Sequence, residues 1–219
     1  MRPEDFRHLT LLNADLKLLS GILANRIRPW FATLLHPSQH CGIQVHNIFQ
    51  AIAVVREAIA YTERTRSSMC VLSLDFKEAF YNISHYYLFQ ILENYSFSRL
   101  FQQYIRCMYQ NATSSIHING HTTGKIPINC SVRQGCPLSM LLFALCIDPF
   151  IRTLASTLPG IRDGSSGTHS AELAYADDVT ILLQSPSDIP KIQNILDQYG
   201  AASGAKINIR KSKALGVGR

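Results

Sequence analysis

Residues 171–183 read Ala-Glu-Leu-Ala-Tyr-Ala-Asp-Asp-Val-Thr-Ile-Leu-Leu, and they constrain this chain more than any other stretch. Two adjacent carboxylates, Asp177 and Asp178, sit between two short apolar runs. Burying neighbouring acids is costly unless a cation or a partner neutralises them. The pattern predicts a strand–turn–strand that shows both acids at its tip to a divalent metal. A second apolar run, Met69 to Phe76, carries Asp75 near its end. Three carboxylates on the ends of two apolar strands are what a two-metal phosphoryl-transfer site requires. On these residues alone the alternatives stay open: acidic pairs are common in solvated turns, and an acid at a strand end can cap the next helix.

The chain has 219 residues, 47% hydrophobic and 16% charged, enough for one large domain or two small lobes around a shared core. A net charge of +6 permits a polyanionic partner without requiring one. The six cysteines form no Cys-x-x-Cys pair, which argues against zinc, and several lie in apolar runs as small buried hydrophobes. Asn82, Asn94, Asn111 and Asn129 open glycosylation-type tripeptides. With no signal peptide at the N-terminus, these are read as chance and the protein is expected inside the cell, in the nucleus or cytoplasm. The strongest apolar run, Leu138 to Ile147, is too short to cross a bilayer, so no membrane is expected.

Leu12, Leu16, Leu19 and Leu23 recur once per turn and predict an amphipathic helix that Pro29 ends or kinks. His36 to Gln44 reads as a loop. Ile48, Ile52, Val55 and Ile59 mark a second helix that gives way near Thr62 to a polar, basic loop reaching Ser68. After the Met69–Phe76 strand come helical stretches over Lys77 to Tyr95 and Ser98 to Gln110. Ser115 to Asn119 and Lys125 to Val132 read as two strands, with Asn119-Gly120 and Gly124 in the turn. Pro137 opens a long helix. Gly160 to Gly167 is a flexible loop, followed by the acid-tipped hairpin. A helix with Ile189, Ile192, Ile195, Leu196 and Tyr199 on one side ends at Gly204, and Lys206 to Val217 forms a last strand or hairpin. The pattern is α+β, with few antiparallel strands and helices packed on one face of the sheet.

Between the acids lies Arg133-Gln134-Gly135-Cys136-Pro137-Leu138-Ser139, a polar turn leading into a helix. Taken in order, Leu11-Leu12-Asn13-Ala14-Asp15, Ile22-Leu23-Ala24-Asn25-Arg26, Leu72-Ser73-Leu74-Asp75 with Ala79-Phe80, Asn119-Gly120, Val132 to Ser139, Tyr175-Ala176-Asp177-Asp178, and Ser203 to Asn208 with Lys211-Ser212-Lys213 closely resemble the reverse transcriptase domain of non-LTR (LINE-type) retrotransposons. The resemblance covers nearly the whole chain. It implies a right-hand polymerase fold: fingers over residues 1–68, palm over 69–219 with a fingers-derived hairpin at 113–133, and no thumb. It implies RNA-directed DNA polymerase activity on an RNA template, a DNA primer and dNTPs. Asp75 and Asp177 would bind two Mg²⁺ ions, with Mn²⁺ as a substitute, and Asp178 would complete the cluster. The metals would lower the pKa of a primer 3′-hydroxyl and stabilise the leaving pyrophosphate.

By the same resemblance Phe76, Phe80, Gln134 and Gly135 meet the nucleotide, Phe80 lying beneath its sugar, where a rigid ring excludes a 2′-hydroxyl. Core packing is the alternative for Phe80. Arg133 and Tyr175 would contact nucleic acid; a surface arginine and an ordinary strand tyrosine are the alternatives. Lys206, Arg210, Lys211 and Lys213 form a basic cluster, read either as a solvated face or as phosphate contacts. Lys206 and Lys211 are the nucleic-acid candidates, and the lysine nearest the leaving pyrophosphate is left open. The chain departs from the family at Tyr81, where Asp is usual, at His46, where an arginine would hold the triphosphate, and at Met140, where proline is usual. Such departures keep a second reading alive, an inactive retroelement-derived fragment that binds nucleic acid or protein at most. An intron-maturase-type polymerase is a third. Oligomeric state is not legible in the sequence.

Overall fold

The computed structural model describes residues 12–43, 48–162, 168, 169 and 171–218. The first helix, α1 (Ala14–Ile27), is followed by a 3₁₀ turn at Arg28–Trp30 with Pro29 in it and by α2 (Phe31–Leu34). Pro29 thus bends the helix into a tighter turn without stopping it, because its missing N–H falls in the first turn of the new segment. Residues 36–43 form the expected loop; Gln44, the end of that reading, and His46 lie outside the described residues. The next helix, α3 (Ile48–Thr65), runs further than the sequence indicated, so the basic loop shrinks to two residues before β1 (Ser68–Leu74).

Two short helices, α4 (Ala79–Asn82) and α5 (His85–Asn94), precede α6 (Arg99–Tyr109), whose Ser98 cap accepts from Phe101 N–H at 3.3 Å. The Asn119-Gly120 turn is a hairpin turn as predicted, but its arms differ from the reading. Strands β2 (Thr113–Ser114), β3 (His117–Ile118), β4 (His121–Thr122) and β5 (Ile126–Pro127) pair as two nested ladders, β3 with β4 and β2 with β5. The return arm therefore starts at His121 rather than Lys125, because a two-residue turn fixes the register. Pro137 lies just before the long helix α7 (Ser139–Thr157). Strands β6 (Ile161–Arg162) and β7 (Thr168–His169) pair where a loop was expected; 163–167 lie outside the described residues. The acid-tipped hairpin is β8 (Glu172–Tyr175) and β9 (Asp178–Leu183). Then come α8 (Ile189–Ser203) and β10 (Lys213–Gly218). Gly204 ends α8 at φ +85°, and a Cβ there would lie 2.6 Å from Asn82 O, so only glycine fits.

Among the described residues the main sheet is antiparallel in the order β10-β1-β9-β8. On one face Cys70, Leu72, Leu74, Val179, Ile181 and Leu183 pack against α5, α7 and α8. Leu142, Leu145, Ile147, Ile151 and Leu154 of α7 are fully buried, each stabilising the fold by about 1.5–3 kcal/mol. This helix is longer than the apolar run read from the sequence, and by length and composition alone it reaches a bilayer-spanning size. Protein covers it here, and it carries buried Asp148 at mid-length. Among the described residues the opposite face is covered at one end, where Met69, Val71, Leu173, Leu182 and Val217 pack with Ala58, Val54 and Val55 of α3.

Candidate active site

The β1–β9 register ends at Leu74 opposite Val179. Asp75 is the next residue after Leu74, and Asp178 is the residue before Val179 and pairs with Tyr175 across the hairpin. Side chains alternate along a strand. Leu74 and Val179 are in the core, so Asp75 and Asp178 emerge on the other face. That face carries Ser73, Thr180, Tyr175, Lys213 and Leu215 at this end, beyond the reach of α3. Ser73, Tyr175, Asp178, Lys213 and Leu215 are exposed, and Asp75 and Thr180 half-buried. Asp177 sits in the two-residue turn after Ala176, which has φ +55°. Asp75, remote in sequence from Asp177 and Asp178, thus shares one end of the sheet with them.

Two segments fasten these acids through contacts that the sequence did not reveal. Residues 206–212 run back along the end of β1. Lys77 N–H donates to Lys206 O at 2.7 Å, Phe76 bridges Ile207, and Asn208 N–H donates to Asp75 O at 2.7 Å. Asp75 N–H donates to Ser212 Oγ at 3.1 Å, and that hydroxyl donates to Asn208 O at 3.0 Å. On the other side, loop 36–43 packs along β8 and is buried, unlike most loops. His36 N–H donates to buried Asp148 at 2.6 Å, and the Ser38 hydroxyl to buried Glu172 at 2.9 Å. Burial, with the nearby Arg152 charge, lowers the His36 pKa, so its 3.7 Å approach to Glu172 is not a salt bridge at neutral pH. Burial raises the pKa of the neighbouring Cys41 thiol, and the Asp177 carboxylate adds to the effect, which puts that acid near the loop.

The aromatic and polar candidates separate. Phe76 is 7% exposed and edge-on to Phe150 and Tyr199 at 5.8 and 6.1 Å; its ring belongs to the core and does not reach the open face. Phe80, half-buried, stacks on Phe143 at 4.4 Å. Segment 131–132 pairs with α4, Val132 N–H donating to Phe80 O at 2.7 Å, and so brings the 133–135 turn beside Phe80. The Tyr81 hydroxyl donates to Gln134 Oε1 at 3.1 Å, and Gly135 takes φ +90°. Arg133 faces inward: it donates to Met108 O at 2.7 Å and lies 5.0 Å over the Tyr109 ring, anchoring the turn to α6. That differs from both the phosphate-contacting and the free surface arginine read from the sequence. Lys206, Arg210 and Lys211 are exposed on the segment that wraps Asp75. Met140, in the first turn of α7, lies with its sulfur 3.4 Å from Cys41 Sγ.

Hard oxygen donors suit Mg²⁺. Among the described residues, no three His, Cys, Asp or Glu side chains are already gathered closely enough to hold a metal ion. Like-charged carboxylates repel without a cation, so the backbone here brings the donors to one edge and leaves their convergence to the ion.

The tip holds Asp177 alone, since Asp178 already pairs in β9, rather than both acids as the sequence suggested; with Asp75 just past the end of β1, this helix-backed antiparallel sheet has the arrangement of a polymerase palm. The sequence pattern of the family Reverse transcriptase (RNA-dependent DNA polymerase) matches residues 2–216, and the chain belongs to that family. It is 34% identical over 97% of its length to the Transposon TX1 uncharacterized 149 kDa protein of Xenopus laevis, covering 16% of that protein. It is 29% identical over 98% of its length to the Pol polyprotein of a type-1 R2 retrotransposable element of Popillia japonica, covering 30% of it. The chain thus spans less than a third of these non-LTR relatives. Telomerase from Candida albicans, solved with a fragment of telomeric RNA, shares the fold with TM-score 0.60 at 13% identity, over 92% of this chain and 34% of that one. Apo telomerase from Candida tropicalis truncated from its C-terminal domain gives TM-score 0.59 at 12% identity, over 93% and 40%.

Proposed function

We propose that this chain is the catalytic portion of an RNA-directed DNA polymerase, extending a DNA primer on an RNA template with dNTPs. Residues 12–65 form part of the fingers, and 68–218 the palm with its hairpin at 113–127. The carboxylates of Asp75 and Asp177 would hold two Mg²⁺ ions, with Asp178 completing the charge, and such ions would supply Lewis-acid activation of the primer 3′-hydroxyl and charge neutralisation at the α-phosphate and pyrophosphate. The protein does the positioning. Asp75 is fixed through its backbone by Asn208 and Ser212. The open sheet face receives the primer end beside Tyr175. Phe80, backed by Phe143, meets the sugar, and the Gln134–Gly135 turn lies against the base pair being formed. Lys206 and Lys211 face the phosphates.

The observation that supports this reading is the β1–β9 register, which ends at Leu74 opposite Val179, with Asp75 and Asp178 each next in chain to a member of that last pair. The test is primer extension on RNA with Mg²⁺. Asp177→Asn is expected to lower the rate by about a thousandfold or more, since it weakens the metal site outright. Extension by that variant at the parental rate would reject the assignment. Tyr81, where the family usually carries an acid, favours a second reading, an inactive remnant that at most binds nucleic acid or protein. It would be supported by an unmodified chain that extends nothing even with Mn²⁺, yet binds RNA equally well with Asp75→Asn.

A further inference from the structure

The hairpin tip is held from outside its own strands. Gln39 bridges Ala174 in parallel fashion, with His40 N–H donating to Ala174 O and Ala174 N–H to Ser38 O, both at 2.8 Å. Gln39 is 0% exposed. Its side-chain Oε1 accepts from Ala176 N–H at 3.2 Å and from Cys41 N–H at 3.1 Å, occupying both lone pairs. Ala176 is itself buried and has φ +55°, a conformation that an L-residue other than Asn or Asp adopts only with outside support. The direction in which Asp177 leaves the turn follows from the backbone of Ala176, its immediate neighbour.

We propose that Gln39 is a positioning residue for the acid pair. By accepting from Ala176 N–H it holds the strained turn that aims Asp177 and Asp178 toward Asp75. It thereby ties loop 36–43 to the metal edge. The inference rests on the two-metal reading for its consequence, but its structural content is separate. Leucine at position 39 keeps the volume and offers no acceptor, which leaves a buried N–H unpaired and lets the turn relax. Glutamate keeps the oxygen. Glycine at position 176 takes a positive φ without strain and removes part of the need for the tether.

The test uses the chain as it stands, with amide exchange by NMR and Mn²⁺ titration by EPR. In the unmodified chain the Ala176 amide should be protected by about a hundredfold or more. In Gln39→Leu it should exchange about tenfold faster while Leu145 in α7 is unchanged, and Mn²⁺ should bind about tenfold more weakly. Adding Ala176→Gly to that variant should bring Mn²⁺ affinity back to within about threefold of the parent. An Ala176 amide that exchanges freely in the unmodified chain, or is unaffected by Gln39→Leu, overturns the proposal. So does a loss of Mn²⁺ affinity that glycine does not rescue, since that marks a general packing role. If Gln39→Leu does not fold, Gln39→Met replaces it against Gln39→Glu, and equal Ala176 exchange in those two overturns the proposal equally. An unmodified chain that binds no Mn²⁺ sinks the two-metal reading, and Ala176 exchange still decides the role of Gln39.

Discussion

Phe80 and Phe76 show how two aromatics four residues apart acquire different duties. Phe76 lies two residues past the end of β1 and turns inward between Phe150 and Tyr199, whereas Phe80 lies in α4 with one face on Phe143 and remains half-buried. A ring stacked on another ring cannot swing aside for a bulkier sugar. Phe80→Ala should therefore raise incorporation of a ribonucleotide relative to its deoxy counterpart by about tenfold or more, read from single-nucleotide extension with each. Unchanged discrimination would reduce Phe80 to a packing residue. Tyr81 stands where the family carries an acid, and its hydroxyl reaches Gln134. The sequence marked it as a departure without showing this contact.

At the level of elements, the end of β1 depends on a segment more than a hundred residues away. Ser212 Oγ accepts from Asp75 N–H and donates to Asn208 O, bracing both the acid and the loop that wraps it. Ser212→Ala leaves Asp75 N–H without that acceptor and should cost about 1–2 kcal/mol of stability, measured by urea denaturation. A variant as stable as the parent would show that water replaces the hydroxyl at no cost. The start of α5 supplies a pH dependence. His85 is buried and its Nε2–H donates to Ser131 O at 2.9 Å. Burial lowers its pKa despite that bond, and burial also lowers that of His36. The unfolded chain thus takes up protons near the ordinary histidine value of 6.5 while the folded rings stay neutral. Their contribution is complete above pH 6.5 and is lost as the pH falls through the lower folded values. Thermal unfolding should occur at lower temperature at pH 5.5 than at pH 7.5, and the drop should be smaller in His85→Gln.

Across the whole molecule, the net charge of +6 is not spread evenly around the site. Lys206, Arg210, Lys211 and Lys213 lie on the segment that runs past Asp75, whereas Arg133 is engaged internally. Replacing Lys206 and Lys211 together by alanine should weaken RNA binding and reduce the slope of log K against log salt by about 1.4, two contacts at roughly 0.7 each for a single strand. Arg133→Ala should leave that slope unchanged while lowering stability. A slope that falls with Arg133 and not with the lysines would move the phosphate track to the other side of the site.

The amino-acid sequence by itself determined the local events: apolar runs bordered by acids, a strand–turn–strand carrying Asp177 and Asp178, the Asn119-Gly120 hairpin turn, and glycine at the end of α8. These follow from side-chain periodicity and from backbone preferences that act within a few residues. Tertiary structure alone decided that α3 covers one end of the sheet and that, among the described residues, the acid-bearing end is left open. It also decided that Phe76 is core and Phe80 is not, that Arg133 folds back onto α6, and that Gln39 and Ser212 fasten the two acidic turns. Each of those outcomes is a contact between segments far apart in the chain, and no local preference of glutamine, serine or arginine encodes which distant amide or carbonyl it will meet.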